Sequence, residues 1–245
     1  MKDLVPDESV DLVVTSPPYN LNLPYDVCND RKPIEDYWIW CQEWLIQLHR
    51  ILKPDGRLCL NHYLSCGNSD LRFAPLMNLN YIAENIGFKH HGIAIWNDIT
   101  LTKPTAWGSW LSASAPYVNS PYEGVLILFK DHWKKDHSGH TEISVKEFMG
   151  ATTGVWKIQP EQNRVTPAPF PVALPRRCIL LFSWEGDLVL DPFMGGGTTA
   201  VAAKQTKRDF VGFEISKAYC QIAGERLTQD NLMNWLPPDN QVERL

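Results

Sequence analysis

Four consecutive residues near the N-terminus, Ser16, Pro17, Pro18 and Tyr19, follow directly on an apolar run typical of a buried strand, Val10–Thr15. A proline fixes φ and carries no backbone N–H, so this turn holds the Ser16 and Pro17 carbonyl oxygens rigidly as hydrogen-bond acceptors. The serine hydroxyl adds a polar group, and the tyrosine offers a flat aromatic face. Fixed acceptors beside an aromatic ring suit a planar base that bears an exocyclic amino group.

A second stretch, residues 191–199, has the pattern of a ligand-binding turn between a strand and a helix. The predicted strand Leu188–Leu190 ends in an aspartate, a glycine-rich turn follows, and two threonines begin a helix. Glycines permit positive φ and close approach of the backbone to a ligand, and a helix N-terminus presents free N–H groups to it. The turn lacks the Gly-Lys-Ser/Thr of a Walker A phosphate loop.

Glu214 supplies this turn with a partner. It lies 23 positions after Asp191, at the end of the predicted strand Asp209–Phe213. A carboxylate at the tip of the second strand, about 20 residues past the glycine turn, is placed to accept hydrogen bonds from ribose hydroxyls. The turn and Glu214 together favour a ligand that contains a nucleoside.

Both motifs resemble those of a known family. Ser-Pro-Pro-Tyr after one strand and Asp-Pro-Phe-x-Gly-x-Gly-Thr after another are similar to the catalytic and cofactor motifs of the amino-methylating DNA methyltransferases. These enzymes use S-adenosylmethionine to methylate cytosine N4 or adenine N6. The catalytic motif comes first here, as in the permuted β class, whereas glutamine- and RNA-directed relatives run in the opposite order. The resemblance spans about Val10 to Leu227.

The resemblance implies a role for each motif residue. Ser16 and the carbonyl of Pro17 would bind the target amino group, and Pro18 belongs to the same catalytic motif. Tyr19 would stack on the flipped base. Glu214 would bind the cofactor ribose. The methionine side of the cofactor would be lined by Asp191, Pro192, Phe193, Gly195, Gly197 and Thr198. The exocyclic nitrogen attacks the methyl group directly, so this chemistry needs no nucleophilic cysteine.

The target base is predicted from Ser16. In the family, Ser-Pro-Pro-Tyr goes mostly with cytosine N4 and Asp-Pro-Pro-Tyr with adenine N6, so cytosine is favoured and adenine is the alternative. Two positions depart from the family pattern, since Thr166 stands where histidine is common and Ala173 where an acid is common. Relatives usually carry a further strand before the catalytic one, whereas this sequence begins almost at it.

Strand and helix patterns alternate along the chain. This alternation predicts an α/β, Rossmann-like methyltransferase fold, with a mostly parallel sheet and helices on both faces. We expect residues 1–130 to form the catalytic half, 131–165 an inserted target-recognition segment, and 166–245 the cofactor-binding half of the same domain. Leu21–Lys32 and Asn97–Tyr122 would assist recognition, and two tryptophans of the latter, Trp107 and Trp110, could wedge against DNA.

Composition limits the remaining possibilities. The net charge of −5 means that positive charge for a DNA partner must be local. Six scattered cysteines predict reduced thiols in a cytoplasmic protein, and no apolar run reaches the ~20 residues of a membrane span. His132, His137 and His140 have no cysteine or well-spaced acid beside them, so no metal site is predicted.

The expected function is therefore methylation of a flipped base in double-stranded DNA, within a restriction–modification system or a phage. We expect a short target, a homodimer and a cognate restriction endonuclease as further partners. Two alternatives stay open at this point. One is methylation of a protein amide or an RNA amine, and the other is a non-catalytic module that binds the cofactor or DNA.

Overall fold

The computed structural model describes residues 3–27, 30–67, 72–98, 107–120, 122–162 and 166–228. The C-terminal tail from 229 to 245, which the sequence predicts to be loosely attached, lies outside the described residues. None of the helices described is long and apolar enough to cross a membrane.

Strands and helices alternate along the described chain. In order they are β1 Val10–Thr15, α1 Ile34–Ile51, β2 Leu52–Tyr63, β3 Cys66–Gly67, β4 Arg72–Phe73, α2 Pro75–Ile86, β5 Lys89–Asn97, β6 Glu123–Phe129, α3 Val145–Ala151, β7 Val155–Lys157, α4 Ala173–Phe182, β8 Leu188–Asp191, α5 Thr198–Gln205, β9 Asp209–Gly212 and α6 Lys217–Thr228.

Seven of the strands form one sheet in the order β7-β5-β6-β2-β1-β8-β9. Every neighbouring pair is parallel except the two pairs made by β6, which runs against β2 and β5. The predicted mostly parallel α/β sheet is thus confirmed. Because β6 is reversed, it begins at the edge where the other strands end, and its first residue joins theirs.

Helices cover both faces of the sheet, as predicted. Along α1 the buried side chains recur at helical spacing, which turns one apolar stripe onto the sheet. These residues are Tyr37, Cys41, Trp44, Leu45, Leu48 and Ile51. This stripe and α2 pack on one face of the sheet, whereas α4 and the alanines of α5 pack on the other. The alternating inward positions of β1 and β2 supply both cores.

The predicted recognition segment, residues 131–165, is partly built into the sheet. β7 pairs with β5 at the sheet edge, and Trp156 within it is buried. The beginning of the segment lies at the opposite end of the strands from their carboxyl edge, where the backbone N–H of Asp136 donates to Asp55 Oδ2 at 2.9 Å. The division into residues 1–130, 131–165 and 166–245 stays a prediction.

Candidate active site

A cavity of about 410 Å³ opens at the carboxyl ends of β1, β8 and β9. This volume is in the range of pockets that enclose a ligand of nucleoside size. The residues of both sequence motifs that line it are Ser16, Pro18, Pro192, Phe193, Gly195, Thr198 and Glu214. The motif residues that do not line it are Pro17, Tyr19, Asp191 and Gly197. The two motifs lie side by side because β1 and β8 are parallel, so residues 16 and 192 follow strand ends at the same edge of the sheet.

Asp191 connects the two motifs through hydrogen bonds of its side chain and does not itself line the cavity. Its Oδ1 accepts the hydroxyl of Thr15 at 2.7 Å and the backbone N–H of Phe193 at 3.0 Å, and its Oδ2 accepts the hydroxyl of Thr199 at 2.7 Å. The side chain is 1% exposed, and burial raises its pKa to about 6. The family resemblance predicts that this carboxylate lines the cofactor site. In the structure it instead connects β1, β8 and α5, because both of its oxygens accept hydrogen bonds from protein groups.

The glycine turn brings backbone close to α6. Gly195 and Gly197 have φ of 51° and 78°, in the left-handed region that favours glycine. A Cβ at Gly197 would lie 2.8 Å from the Cβ of Ala223. Gly197 does not line the cavity, and its role in the structure is to allow α6 to pack closely on the turn. Arg226 of α6 completes the contact by donating to Thr198 Oγ1 at 3.1 Å.

Glu214 joins the glycine turn to the start of α6. Its Oε2 accepts the backbone N–H of Gly195 at 2.9 Å, and its Oε1 accepts that of Ser216 at 2.8 Å. Glu214 also lines the cavity, and its binding to the cofactor ribose stays a prediction. It is therefore both held in place by backbone donors and exposed to a ligand.

Ser16 is the first member of a chain of polar side chains that leads away from the cavity. Its Oγ lies 2.7 Å from the hydroxyl of Tyr19, which donates to Glu123 Oε2 at 2.7 Å. The Nδ2 of Asn61 donates to the same tyrosine oxygen at 2.9 Å and to Glu123 Oε2 at 2.5 Å. Burial raises the pKa of Tyr19 well above its ordinary value, so the phenol stays protonated.

The ring of Tyr19 lies inside the protein, not on the cavity wall. It stacks on His62 with ring centroids 4.1 Å apart and meets Tyr63 edge to face at 5.2 Å. The residue is 5% exposed. The family resemblance predicts that the tyrosine ring presents an open face to a target base. The structure differs, because the phenol hydroxyl forms hydrogen bonds with Asn61 of β2 and Glu123 of β6, and a buried tyrosine hydroxyl needs such partners.

His62 is neutral and supports the proline turn. Burial lowers its pKa to about 3. Its Nε2 lies 3.1 Å from the hydroxyl of Tyr37, which donates to the Pro18 carbonyl at 2.8 Å. Since Tyr37 uses its proton on Pro18, His62 is the donor in the other contact. The carbonyl of Pro18 is therefore occupied.

A loop made by residues 20–27 and 30–32 closes one side of the cavity. Asp30 accepts the backbone N–H groups of Asn20, Leu21 and Leu23 at 2.8 to 3.1 Å, which folds the loop back on itself. Asp26 accepts the hydroxyl of Ser216 at 2.6 Å and so ties the loop to α6. Residues of this loop and of the segment 166–170 line the cavity opposite the glycine turn.

Sequence reasoning missed Glu123, Asn61, His62 and Tyr37. A signal for Glu123 was present, because it is a charged residue at the start of the otherwise apolar strand β6. Nothing in the sequence showed that β6 runs against its neighbours. With β6 parallel, Glu123 would have been at the far end of the sheet.

Two histidines have carboxylate neighbours that the sequence analysis did not anticipate. His137 lies with Asp11 and Asp187, and His140 with Glu142 and Glu185. The acids come from distant parts of the chain, which is why spacing did not reveal them. Lysine ammonium groups already face both clusters. The absence of a metal site stays a prediction.

Comparison with known proteins agrees with the geometry. Residues 10–225 match the family model described as "DNA methylase". The type II methyltransferase M.MjaVI of Methanocaldococcus jannaschii is 41% identical over 162 residues, which are 65% of this chain and 82% of that protein. M.BglII of Bacillus subtilis is 34% identical over 245 residues, which are 91% of this chain and 65% of that protein.

Solved structures share the fold. The Thermus thermophilus protein TTHA0409, described as a DNA modification methylase and crystallised with S-adenosyl-L-methionine, superposes with a TM-score of 0.70 and 28% identity, covering 91% of this chain and 87% of that one. The cytosine-N4-specific PvuII DNA methyltransferase reaches a TM-score of 0.70 at 20% identity, over 94% of this chain and 83% of that one.

The fold and the site thus define an S-adenosylmethionine-dependent methyltransferase. More specifically, the chain belongs to the DNA methylase family that methylates exocyclic amino groups at cytosine N4 or adenine N6. Sequence order, which separated this family from amide- and RNA-directed relatives, therefore led to the right family.

Proposed function

We propose that this protein methylates the N4 amino group of cytosine in double-stranded DNA. The observation that carries the proposal is Ser16, which lines the cavity directly after β1, together with residues of the glycine turn. Ser16 occupies the first position of the Ser-Pro-Pro-Tyr motif, which in the family goes mostly with cytosine. A base must leave the duplex to reach such a cavity.

The residues on the cavity wall fit S-adenosylmethionine. Glu214 offers carboxylate oxygens for ribose hydroxyls, and the glycine turn brings backbone N–H groups of the start of α5 to the same wall. When bound, this cofactor supplies an electrophilic methyl group. In this proposal the Ser16 hydroxyl holds the target nitrogen in position, and the prolines that line the cavity, Pro18, Pro169 and Pro192, limit its contact with water.

The test is methyl transfer to unmethylated DNA of mixed sequence, followed by mass spectrometry of the nucleosides. We expect N4-methylcytosine. N6-methyladenine alone would overturn the base assignment and leave the methyltransferase reaction intact. Binding of the cofactor without any methylated nucleoside would instead support the non-catalytic alternative.

Ser16→Ala tests the serine directly. Loss of an oriented hydrogen bond that acts on the reacting group costs about 10²-fold in kcat. We expect a decrease of this size with unchanged affinity for S-adenosylmethionine. Ser9→Ala is the matched control, because Ser9 precedes the opposite end of the same strand and its hydroxyl donates to the Pro6 carbonyl. Equal activity of both variants would contradict the role of Ser16.

We propose restriction–modification as the biological setting, because the relatives named above are type II methyltransferases. A homodimer, a cognate endonuclease and a cytoplasmic location remain proposals that accompany this setting. Light scattering of the purified protein, with and without a DNA duplex, measures the first of them. A mass of one chain in both states would exclude the homodimer.

A further inference from the structure

The hydroxyl chain that begins at Ser16 has one direction of hydrogen-bond donation. An ionised carboxylate only accepts, and the Nδ2 of an asparagine only donates. Tyr19 therefore gives its single proton to Glu123 and accepts from Asn61. Ser16, 2.7 Å from the tyrosine oxygen, is left as the second donor to Tyr19. The lone pairs of the Ser16 hydroxyl are then free to accept an N–H from a group in the cavity.

We infer that Glu123 takes up the proton that the target amino group releases, and that Ser16 and Tyr19 relay it. The inference rests on the proposed function. It assigns to this chain a proton acceptor that lies on β6 and outside both sequence motifs.

The step balances as a net transfer of one proton. The target nitrogen would donate its lone pair to the methyl carbon, while the bond from that carbon to the cofactor sulfur breaks and its electron pair stays on sulfur. One N–H bond of the target then breaks, and that electron pair stays on nitrogen. The proton goes to Ser16 Oγ, the serine hydroxyl proton goes to Tyr19, and the tyrosine proton goes to Glu123 Oε2. Ser16 and Tyr19 end as neutral hydroxyls, and the carboxylate of Glu123 ends protonated.

The surroundings of Glu123 suit this role. It is enclosed by Tyr19 after β1, Asn61 and Tyr63 of β2, and Asp98 after β5. Burial, with the nearby charge of Asp98, raises the pKa of Glu123, although the hydrogen bonds from Tyr19 and Asn61 oppose that shift. A carboxylate with a raised pKa holds a proton better than an exposed one.

Tyr19 suits its place in the middle of the chain. Its raised pKa means that it passes a proton on without remaining ionised. The hydroxyl is within 2.7 Å of both neighbours, so each transfer crosses a single hydrogen bond. No other side chain is required between the cavity wall and β6.

The first experiment is Glu123→Gln in the full chain. The amide oxygen can still accept from Tyr19 and Asn61, so the packing is kept, but the side chain cannot take up a proton. We expect kcat to decrease about 100-fold, within the range for loss of a general base, with KM for DNA and affinity for S-adenosylmethionine unchanged. Glu43→Gln, on the exposed side of α1, is the matched control. A kcat within twofold of wild type would overturn the relay.

The second experiment combines Glu123→Gln with Tyr19→Phe. Each change interrupts the same transfer, so the double variant should be no slower than the slower single variant. Effects on kcat that multiply would contradict a shared path. Circular dichroism and thermal unfolding verify that all variants fold.

The third experiment is the pH dependence of kcat. The relay needs ionised Glu123, so wild-type activity should decrease as pH falls through the pKa of this residue. Glu123→Gln should lack that acid limb, and Glu123→Asp should restore part of the activity together with a limb. An unchanged limb in Glu123→Gln would assign it to another group and overturn the relay.

A readout without turnover separates this inference from the proposed function. Infrared spectroscopy of the free protein follows the C=O band of a protonated carboxylic acid. We expect a titrating band that is absent in Glu123→Gln and that titrates at higher pH in Tyr19→Phe, because the bond from Tyr19 lowers the pKa of Glu123. No shift in Tyr19→Phe overturns the relay even if methylation is normal. No methylation by wild-type protein overturns the proposed function, and the relay with it.

Discussion

At the scale of single residues, the site includes motif side chains that do not line the cavity. Asp191 and Tyr19 belong to the two motifs, but their polar atoms form hydrogen bonds with other protein groups. Asp191 connects β1 to α5, and Tyr19 connects the proline turn to β2 and β6. A motif residue can therefore be required because it positions its neighbours.

Asp191 should make stability depend on pH in a definite direction. Its pKa is raised from 3.8 to about 6 in the folded state, so folding favours the protonated form. The contribution is complete below pH 4 and is lost as pH rises through 6. A pKa difference of this size between the folded and unfolded states corresponds to about 3 kcal/mol of unfolding free energy.

Chemical denaturation of wild type and Asp191→Asn between pH 4 and pH 8 measures this dependence. We expect the difference between their unfolding free energies to change by a few kcal/mol between pH 4 and 6, with wild type losing relative stability as pH rises. A difference that does not vary with pH would show that the carboxyl does not titrate in this range.

The motif residues could be found from the sequence, but their geometry could not. Residue types and order indicated the cavity wall around Ser16, Gly195 and Glu214. The burial of Tyr19 was not foreseeable, because its partners Asn61 and Glu123 are 42 and 104 positions away. Contacts over such separations are fixed by the order of strands in the sheet, which no local pattern encodes.

At the scale of elements, the packing of α6 against the glycine turn positions one wall of the cavity. The positive φ of Gly197 and its closeness to Ala223 are separate reasons for a glycine there. Gly186 distinguishes them, since it has φ +81° but nothing within 4 Å of an added Cβ.

We expect Gly197→Ala to destabilise the fold more than Gly186→Ala does. Both changes put a Cβ at positive φ, which costs about 1–2 kcal/mol, and only Gly197→Ala also pushes α6 away. Affinity for S-adenosylmethionine, measured by calorimetry, should decrease in Gly197→Ala alone. Equal stability of the two variants would show that α6 moves without cost.

Residues 107–118 form a second element of interest, an exposed turn between β5 and β6 at the carboxyl edge. A bridge between Gly108 and Pro116 closes the turn, and the Ser109 hydroxyl donates to the Ser112 carbonyl at 2.7 Å. Trp110 is 72% exposed and Leu111 is 89% exposed. Large apolar side chains in such a position suit insertion between base pairs.

Trp110→Ala should therefore weaken binding to a DNA duplex about tenfold or more, because loss of a stacked aromatic costs about 1–3 kcal/mol. Affinity for S-adenosylmethionine should not change. Tyr81→Ala, which removes an aromatic residue that is 69% exposed on α2, is the control. Fluorescence anisotropy with a labelled duplex measures both, and equal affinities would remove Trp110 from the DNA surface.

Helix and strand positions were predicted well from periodicity. The spacing of apolar residues predicts helices from Ile34 to Leu52 and around Pro75–Ile86. The observed helices α1 and α2 agree with these bounds to within one residue, because buried faces at helical spacing are visible in the sequence. The role of residues 131–165 in target recognition stays a prediction, but their composition did not reveal a strand. Their polar composition suggested an excursion for DNA, but β7 lies in the sheet and Trp156 is buried.

At the scale of the whole molecule, the two ends of the sheet differ in structure, since one carries a cavity and the other a buried ionic cluster. The carboxyl edge carries the cavity. The opposite end holds a buried cluster in which the Lys135 ammonium lies 3.6 Å from Asp11, 3.5 Å from Asp187 and 4.0 Å from Asp55. These groups fasten residues 131–137 to the starts of β1 and β8.

Lys135→Met should destabilise the fold strongly without a change in kcat of the remaining folded protein. Removing one partner from a buried ionic cluster costs about 3–5 kcal/mol. Here three carboxylates lose a shared ammonium group, although Asp11 keeps Lys53 and Asp187 keeps His137 as partners. Lys134→Met, at an exposed neighbouring position, is the control. Denaturant unfolding and methyl transfer, measured on the same preparations, test both parts. A decrease in kcat would show that the two ends of the sheet are coupled.

The reversed direction of β6 also affects how substrate preference can evolve. Trp96 near the end of β5 pairs directly with Glu123 at the start of β6, so the segment between them leaves and re-enters the sheet at one place. Closing a longer loop between fixed neighbours costs little additional entropy. Insertions and exchanges in that segment can therefore accumulate while Glu123 keeps its position. Because we propose that this segment takes part in DNA recognition, we expect target preference to change through it without disturbing the strand pair.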